Sequence, residues 1–125
     1  MNSREQIIGN YVEGYNQFDV DKMVLHFAEN ILFENVSNGE INLALTGLSA
    51  FREQAERAIA YFTVRRQTIT SIKHIGNQTE IDVDYYAVLK ADFPNGLKKG
   101  DELRVQGKSV FTFLNEKIIK LTDVA

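Results

Sequence analysis

The chain contains no cysteine. Disulfides and thiolate chemistry are thereby excluded, and the absence is compatible with a reducing compartment. Proline occurs once, and no Pro/Gly/Ser-rich linker, low-complexity tract or internal repeat divides the sequence. Long apolar runs are also missing. None approaches the length of a membrane span, and Met1-Asn2-Ser3-Arg4-Glu5-Gln6 lacks the apolar run of a signal peptide. A cytoplasmic protein without a membrane partner is the expectation. Basic charge is in short supply, with 14 Lys and Arg against 17 Asp and Glu, a net charge of −3. A nucleic-acid partner would want a basic face, so none is expected. The one basic pair among aromatics, in Tyr61-Phe62-Thr63-Val64-Arg65-Arg66, reads as a helix end with solvated charges.

Only two histidines are present, His26 and His74, and neither sits in a metal-type spacing such as HExxH. No metal or other cofactor is expected. His74 is the sole neutral-pH base on the strand-rich half, but a lone histidine is ordinarily a surface or hydrogen-bonded residue. Nucleophile elbow, phosphate loop and dinucleotide fingerprint are all absent.

What is there is an ordinary globular balance: 125 residues, 44% hydrophobic and 25% charged. That suits one domain, residues 1–125, with one core. Helical patterns come first. Ser3 and Gln6 have capping-box spacing, and Ile7, Ile8, Tyr11, Val12 and Tyr15 follow at helical spacing, giving a helix over about residues 4–17. Asp19 suits the N-cap of a short second helix with Val20, Met23, Val24 and Phe27 on its apolar stripe. A short strand, Ile31 to Val36, precedes a loop from Ser37 to Asn42. A third helix, capped by Thr46 or Ser49, carries Leu48, Phe51, Ala55, Ala58, Ile59 and Phe62 on one face.

From residue 64 the period changes to two. A strand over about 65–75 turns at Gly76-Asn77. The next places Ile81, Val83, Tyr85, Ala87 and Leu89 on one face, with Asp82, Asp84, Tyr86 and Lys90 opposite. Phe93-Pro94-Asn95-Gly96 marks a turn. The third long strand buries Leu103, Val105, Ser109, Phe111 and Phe113, and Asn115-Glu116-Lys117 leads into a last strand, Ile118 to Val124. The prediction is α+β: helices of the N-terminal half packed on one face of a curved antiparallel sheet that makes a cone. On the outer face Asp82 and Asp84 read as cross-strand partners of Lys and Arg rather than as an acid/base pair, and Tyr86 and Val88 as exposed.

The stretch Ile31-Leu32-Phe33-Glu34-Asn35-Val36 poses a question, because each face of that strand carries one polar residue. Either Glu34 or Asn35 must go inside. A buried ionised Glu costs several kcal/mol unless paired, whereas an Asn needs only hydrogen bonds, so Asn35 is the expected inward residue.

In order and spacing the chain resembles the nuclear transport factor 2-like superfamily, in its SnoaL-like and ketosteroid-isomerase-like branch. The segments NYVEGYNQFDVDKMVLHFAEN, LTGLSAFREQ and GKSVFTF carry the likeness. The resemblance implies a cone-shaped sheet closed by three helices, a homodimer through the outer sheet face, and a small hydrophobic ligand inside. It also permits a test of activity. Ketosteroid isomerases use a carboxylate base on the first strand, with a tyrosine and a protonated aspartate as oxyanion hole. By the resemblance the tyrosine matches Tyr11, the base falls on Asn35, and the protonated acid falls within one residue of Ser109. An amide offers no proton-accepting base at neutral pH, so steroid-type isomerisation is not expected, and isomerase or cyclase chemistry is left open.

The expected ligand wall comprises Tyr11, Tyr15, Phe33, Asn35, Phe51, Tyr85, Ser109 and Phe111. Alternatives stand beside it. Tyr11 and Tyr15 at helical spacing suit core filling as well as hydroxyl donation to a ligand, and Asn35 suits a locally bonded amide as well as a ligand contact. Two functions compete: a binder of small hydrophobic, cyclic molecules in an internal cavity, and a non-catalytic dimeric interaction module using the outer sheet.

Overall fold

A computed structural model of the protein describes residues 3–125. Helix α1, Ser3–Asn16, buries Ile7, Ile8, Tyr11 and Val12; Ser3, expected to be its cap, belongs to the helix itself. Asp19 caps the short helix α2, Val20–Val24, by accepting the Lys22 backbone N–H at 3.0 Å. The two helices meet at Gly14. A Cβ there would lie 2.8 Å from the Met23 nitrogen and 3.1 Å from the Asp19 carbonyl oxygen, both backbone atoms that cannot swing aside. Helix propensity alone favours Ala over Gly by about 1 kcal/mol, but overpacking of this kind costs about 1–3 kcal/mol. Gly14→Ala is therefore expected to lower stability in urea unfolding; a gain would show that α1 and α2 stand farther apart.

Strand β1 runs from Phe27 to Ser37 and β2 from Glu40 to Thr46. The predicted loop from Ser37 to Asn42 is in fact the tip of this hairpin. Asn38 and Gly39 both have positive φ, 55° and 77°, as a two-residue hairpin turn requires. Ile41, Leu43 and Leu45 do alternate along it, but the run is only three apolar residues long and starts inside the Asn- and Gly-rich segment; in this edge strand Ile41 is exposed and Leu43 and Leu45 are half-buried. Helix α3, Leu48–Ile59, buries Phe51 and Ala55. Its N-cap is Gly47 at φ 95°, with no side-chain cap, so neither Thr46 nor Ser49 takes the expected role.

Four long strands follow: β3 Phe62–Ile75, β4 Gln78–Leu89, β5 Glu102–Leu114 and β6 Lys117–Val124. The six strands form one curved, unclosed sheet in the order β2-β1-β6-β5-β4-β3. All neighbours are antiparallel except β1 and β6, which run parallel. Register shifts leave extra residues on β1 against β6, on β2 at Asn42, on β3 against β4 and on β6 at Ile119, and such bulges bend the strands that carry them. The helices cover the concave face. Ile8, Ile31, Ile81, Phe111, Ile118 and Leu121 are fully buried there. The α+β cone predicted from the sequence is the fold of the protein.

Two faces depart from the alternation. Val105, predicted buried, is 53% exposed, because that part of β5 faces the open mouth of the cone. Tyr86 and Val88 are half-buried rather than exposed. The Tyr86 ring lies between the guanidinium groups of Arg104 and Arg66, at 4.5 and 5.4 Å, and its hydroxyl donates to Glu102 at 2.6 Å. Asp82 has the expected cross-strand partner, with Lys108 3.9 Å from it and 3.7 Å from Glu80, whereas Asp84 enters no ion pair among the described residues.

Candidate functional site

Strand register builds the site. Asn35 on β1 pairs with Asp123 on β6, and Asp123 pairs with Ser109 on β5. Three adjacent strands thus place an amide, a carboxyl and a hydroxyl in one row on the concave face. Two hollows meet at this row. The outer one, about 430 Å³, opens at the mouth and is lined by Asn35, Gln67, Tyr85, Val105, Ser109 and Asp123 among others. The inner one, about 220 Å³, lies under the helices and is lined by Tyr11, Tyr15, Phe33, Asn35, Phe51, Arg65 and Asp123 among others. Asn35 and Asp123 line both.

The polar residues of β1 divide as the desolvation argument requires. Asn35 faces the hollows, and Glu34 turns to the opposite side, where it pairs with Lys120 at 3.3 Å. Of the eight residues singled out from the sequence, seven line one hollow or both. Phe111 does not; it is buried behind Tyr11, edge-on to that ring at 5.6 Å. The Tyr15 and Tyr85 hydroxyls meet at 2.8 Å. Burial pushes both phenols above their usual range, with the neighbouring hydroxyl a further cause for Tyr15. Tyr11 is likewise raised by burial, then by the Asp123 charge, against a lowering pull from Arg65. All three are neutral hydroxyls at physiological pH.

Sequence reasoning missed Asp123. The residue keeps part of its surface, but the surroundings of its carboxyl exclude water and raise its pKa from 3.8 to about 6; the Ser109 hydroxyl, donating to Oδ1 at 2.7 Å, pulls the other way. The resemblance points to an acid within one residue of Ser109 on β5; the carboxyl found beside Ser109 is on the neighbouring strand, hydrogen-bonded to Ser109 itself. The available signal was parity with Leu121, which is fully buried.

Arg65 was also misread. It is 3% exposed rather than solvated. β3 begins at Phe62, so the Arg65-Arg66 pair lies on a strand, and alternation sends Arg65, Gln67 and Ile69 inward and Arg66 and Thr68 outward. The guanidinium sits 3.8 Å over the Tyr15 ring and 4.7 Å over Phe18. Its Nε donates to the Tyr15 carbonyl at 2.7 Å, and Nη2 approaches the Met23 sulfur at 3.9 Å. Two residues on, the buried Oε1 of Gln67 accepts no hydrogen bond among the described residues.

His74 lies away from both hollows, between Thr79 Oγ1 at 2.9 Å and Glu5 Oε2 at 3.3 Å. Among the described residues no group of three His, Asp or Glu side chains could hold a metal, and no helix is long and apolar enough to cross a membrane. Chemically, the site offers one carboxyl that titrates near neutrality, neutral donors in Tyr11 and Ser109, an amide, and a buried cation.

A family model described as the SnoaL-like domain matches residues 8–121. No curated protein matches the chain. Among solved structures, a candidate SnoaL-like polyketide cyclase from Jannaschia sp. CCS1 superposes with a TM-score of 0.82 at 10% identity, covering 97% of this chain and 83% of that one. A candidate polyketide cyclase from Xanthomonas campestris pv. campestris gives 0.80 at 17% identity, covering 98% and 90%. TerC, co-crystallized with polyporic acid, gives 0.77 at 10% identity, covering 98% and 90%. At these identities the likeness is one of fold.

Proposed function

Since the chain belongs to the SnoaL-like domain family, we propose that it binds a small, hydrophobic, ring-shaped molecule within the cone and that Asp123 exchanges a proton with it. The row Asn35–Asp123–Ser109 at the junction of the two hollows carries this reading. Apolar walls with a few convergent polar groups are what a ligand site needs. A carboxyl with a pKa of about 6 holds both protonation forms near neutral pH, as general acid–base work requires. In this reading Ser109 orients the carboxyl, Asn35 bonds a ligand oxygen, and Tyr11 donates to a second oxygen. The co-crystallization of TerC with polyporic acid supports a cyclic ligand. A homodimer through the outer face of β3–β5, which no helix covers, is compatible with it.

A screen of hydrophobic cyclic ketones and acids is expected to raise the melting temperature. A ligand at a hundred times its Kd stabilises a native-only site by about 2.7 kcal/mol, a shift of several degrees in a chain of this size. No shift at saturating concentration of any of them would remove the ligand site.

A further inference from the structure

Arg65 is the one deeply buried cation among the described residues, and its bonding is incomplete. A guanidinium offers five N–H donors. Among the described residues these find one strong acceptor, the Tyr15 carbonyl at Nε, and one weak acceptor, the Met23 sulfur at Nη2; Nη1 has none. No carboxylate lies within 4.0 Å of it, for Arg65 enters none of the ion pairs. Asp123 lines the same hollow, but it too lies beyond 4.0 Å of the guanidinium nitrogens.

Part of the burial has a local explanation. The Tyr15 carbonyl belongs to the last turn of α1, where a cation is favoured, and the Tyr15 and Phe18 rings supply cation–π contact. That explanation occupies Nε and the faces of the guanidinium plane. It leaves the outer edge, Nη1 and Nη2, without an anion. A buried charge lacking a counter-charge is costly, and this edge has the fork geometry that takes two carboxylate oxygens. Arg65 also lines the inner hollow, beside apolar surface from Phe33, Leu43 and Phe51.

We infer that the inner hollow is selective for an acidic ligand: a small alicyclic or aromatic ring whose carboxylate or enolate oxygen seats against the Nη1–Nη2 edge of Arg65. The inference rests on the binding site proposed above and narrows its ligand class. The ring packs on the apolar wall, and the acidic group supplies the missing counter-charge. A neutral ring of the same shape fills the same space but leaves the guanidinium without a counter-charge. A cationic ring is rejected outright.

The test compares 2-naphthoate with 2-naphthamide at pH 7.5 by titration calorimetry on the full chain. The two share a ring and differ in charge. Naphthoate is expected to bind at least tenfold more tightly than the amide. In Arg65→Met, which keeps the length of the side-chain stem, that preference is expected to vanish. Equal binding of acid and amide by the wild-type protein would overturn the assignment of Arg65 while leaving the cavity standing. Binding of neither would overturn both readings. A preference that survives in a folded Arg65→Met would also overturn it. Should that variant fail to fold, the wild-type pair of ligands still decides.

Discussion

Asp123→Asn is expected to stabilise the protein at pH 8, by about 2–3 kcal/mol. The native carboxyl has its pKa raised from 3.8 to about 6 because its surroundings exclude water. One pKa unit corresponds to about 1.4 kcal/mol. With the folded value above the unfolded one, the native state binds more protons between those two pH values. The contribution of this group to stability is then fully present below pH 3.8 and is lost as pH rises through 6. An asparagine carries no charge to desolvate, and its carbonyl can still accept the Ser109 hydroxyl now donated to Asp123. The gap between variant and wild type should therefore be widest at pH 8, shrink through pH 6, and close near pH 4. Urea unfolding at the three pH values measures it. A gap of equal size at all three would mean that Asp123 is not the desolvated acid described here. The same substitution should abolish any proton transfer in the site, the common exchange of stability for function at such positions.

Phe111→Ala is expected to cost about 3–5 kcal/mol, the range for emptying a large aromatic site in a packed core. Phe111 is 0% exposed and stands edge-on to Tyr11, which in turn stacks on Phe27. The loss should appear as a lower urea midpoint with unchanged slope, because the surface exposed on unfolding is nearly the same. Leu114→Ala, on the same strand at 61% exposure, is the control and should move stability by less than about 0.5 kcal/mol. Similar losses at the two positions would place Phe111 outside the core. The substitution also withdraws the support behind one wall of the inner hollow, so ligand affinity should fall with stability although Phe111 lines neither hollow.

The parts of the fold legible in the sequence are those where one residue type repeats with one period. Strand β4 shows this well: Ile81, Val83, Ala87 and Leu89 are buried, with Asp82 and Asp84 exposed between them. Helix α3 is read for the same reason. Strand β2 is passed over although Ile41, Leu43 and Leu45 alternate, because three apolar positions beside an Asn- and Gly-rich turn are too short a run to mark a strand. The inward turn of Asn35 agrees with the cost of desolvating an unpaired Glu34, which on the other face has Lys120 as its partner. Asp123 and Arg65 depend on neighbours entirely. An acid two places after Leu121 becomes a site residue only when β6 lies between Asn35 and Ser109, and that pairing is not written in β6. Arg65 looks like a solvated charge until β3 is known to start at Phe62. Charged residues facing inward break the alternation on which strand reading relies, so they hide from the method that finds the strand.

The place of β6 has a consequence for how the protein is made. It leaves the ribosome after every other strand, yet it lies between β1 and β5. Until it arrives, the β1–β2 hairpin and the β3–β5 meander are separate pieces, each with an open edge able to capture a foreign strand. Closing the sheet needs a contact between Phe27 and Ile118, which spans most of the chain, and such distant pairings form slowly. Nascent chains arrested just before Lys117 should therefore be dependent on chaperones and readily cleaved by protease, and the row Asn35–Asp123–Ser109 should come into being in a single late step.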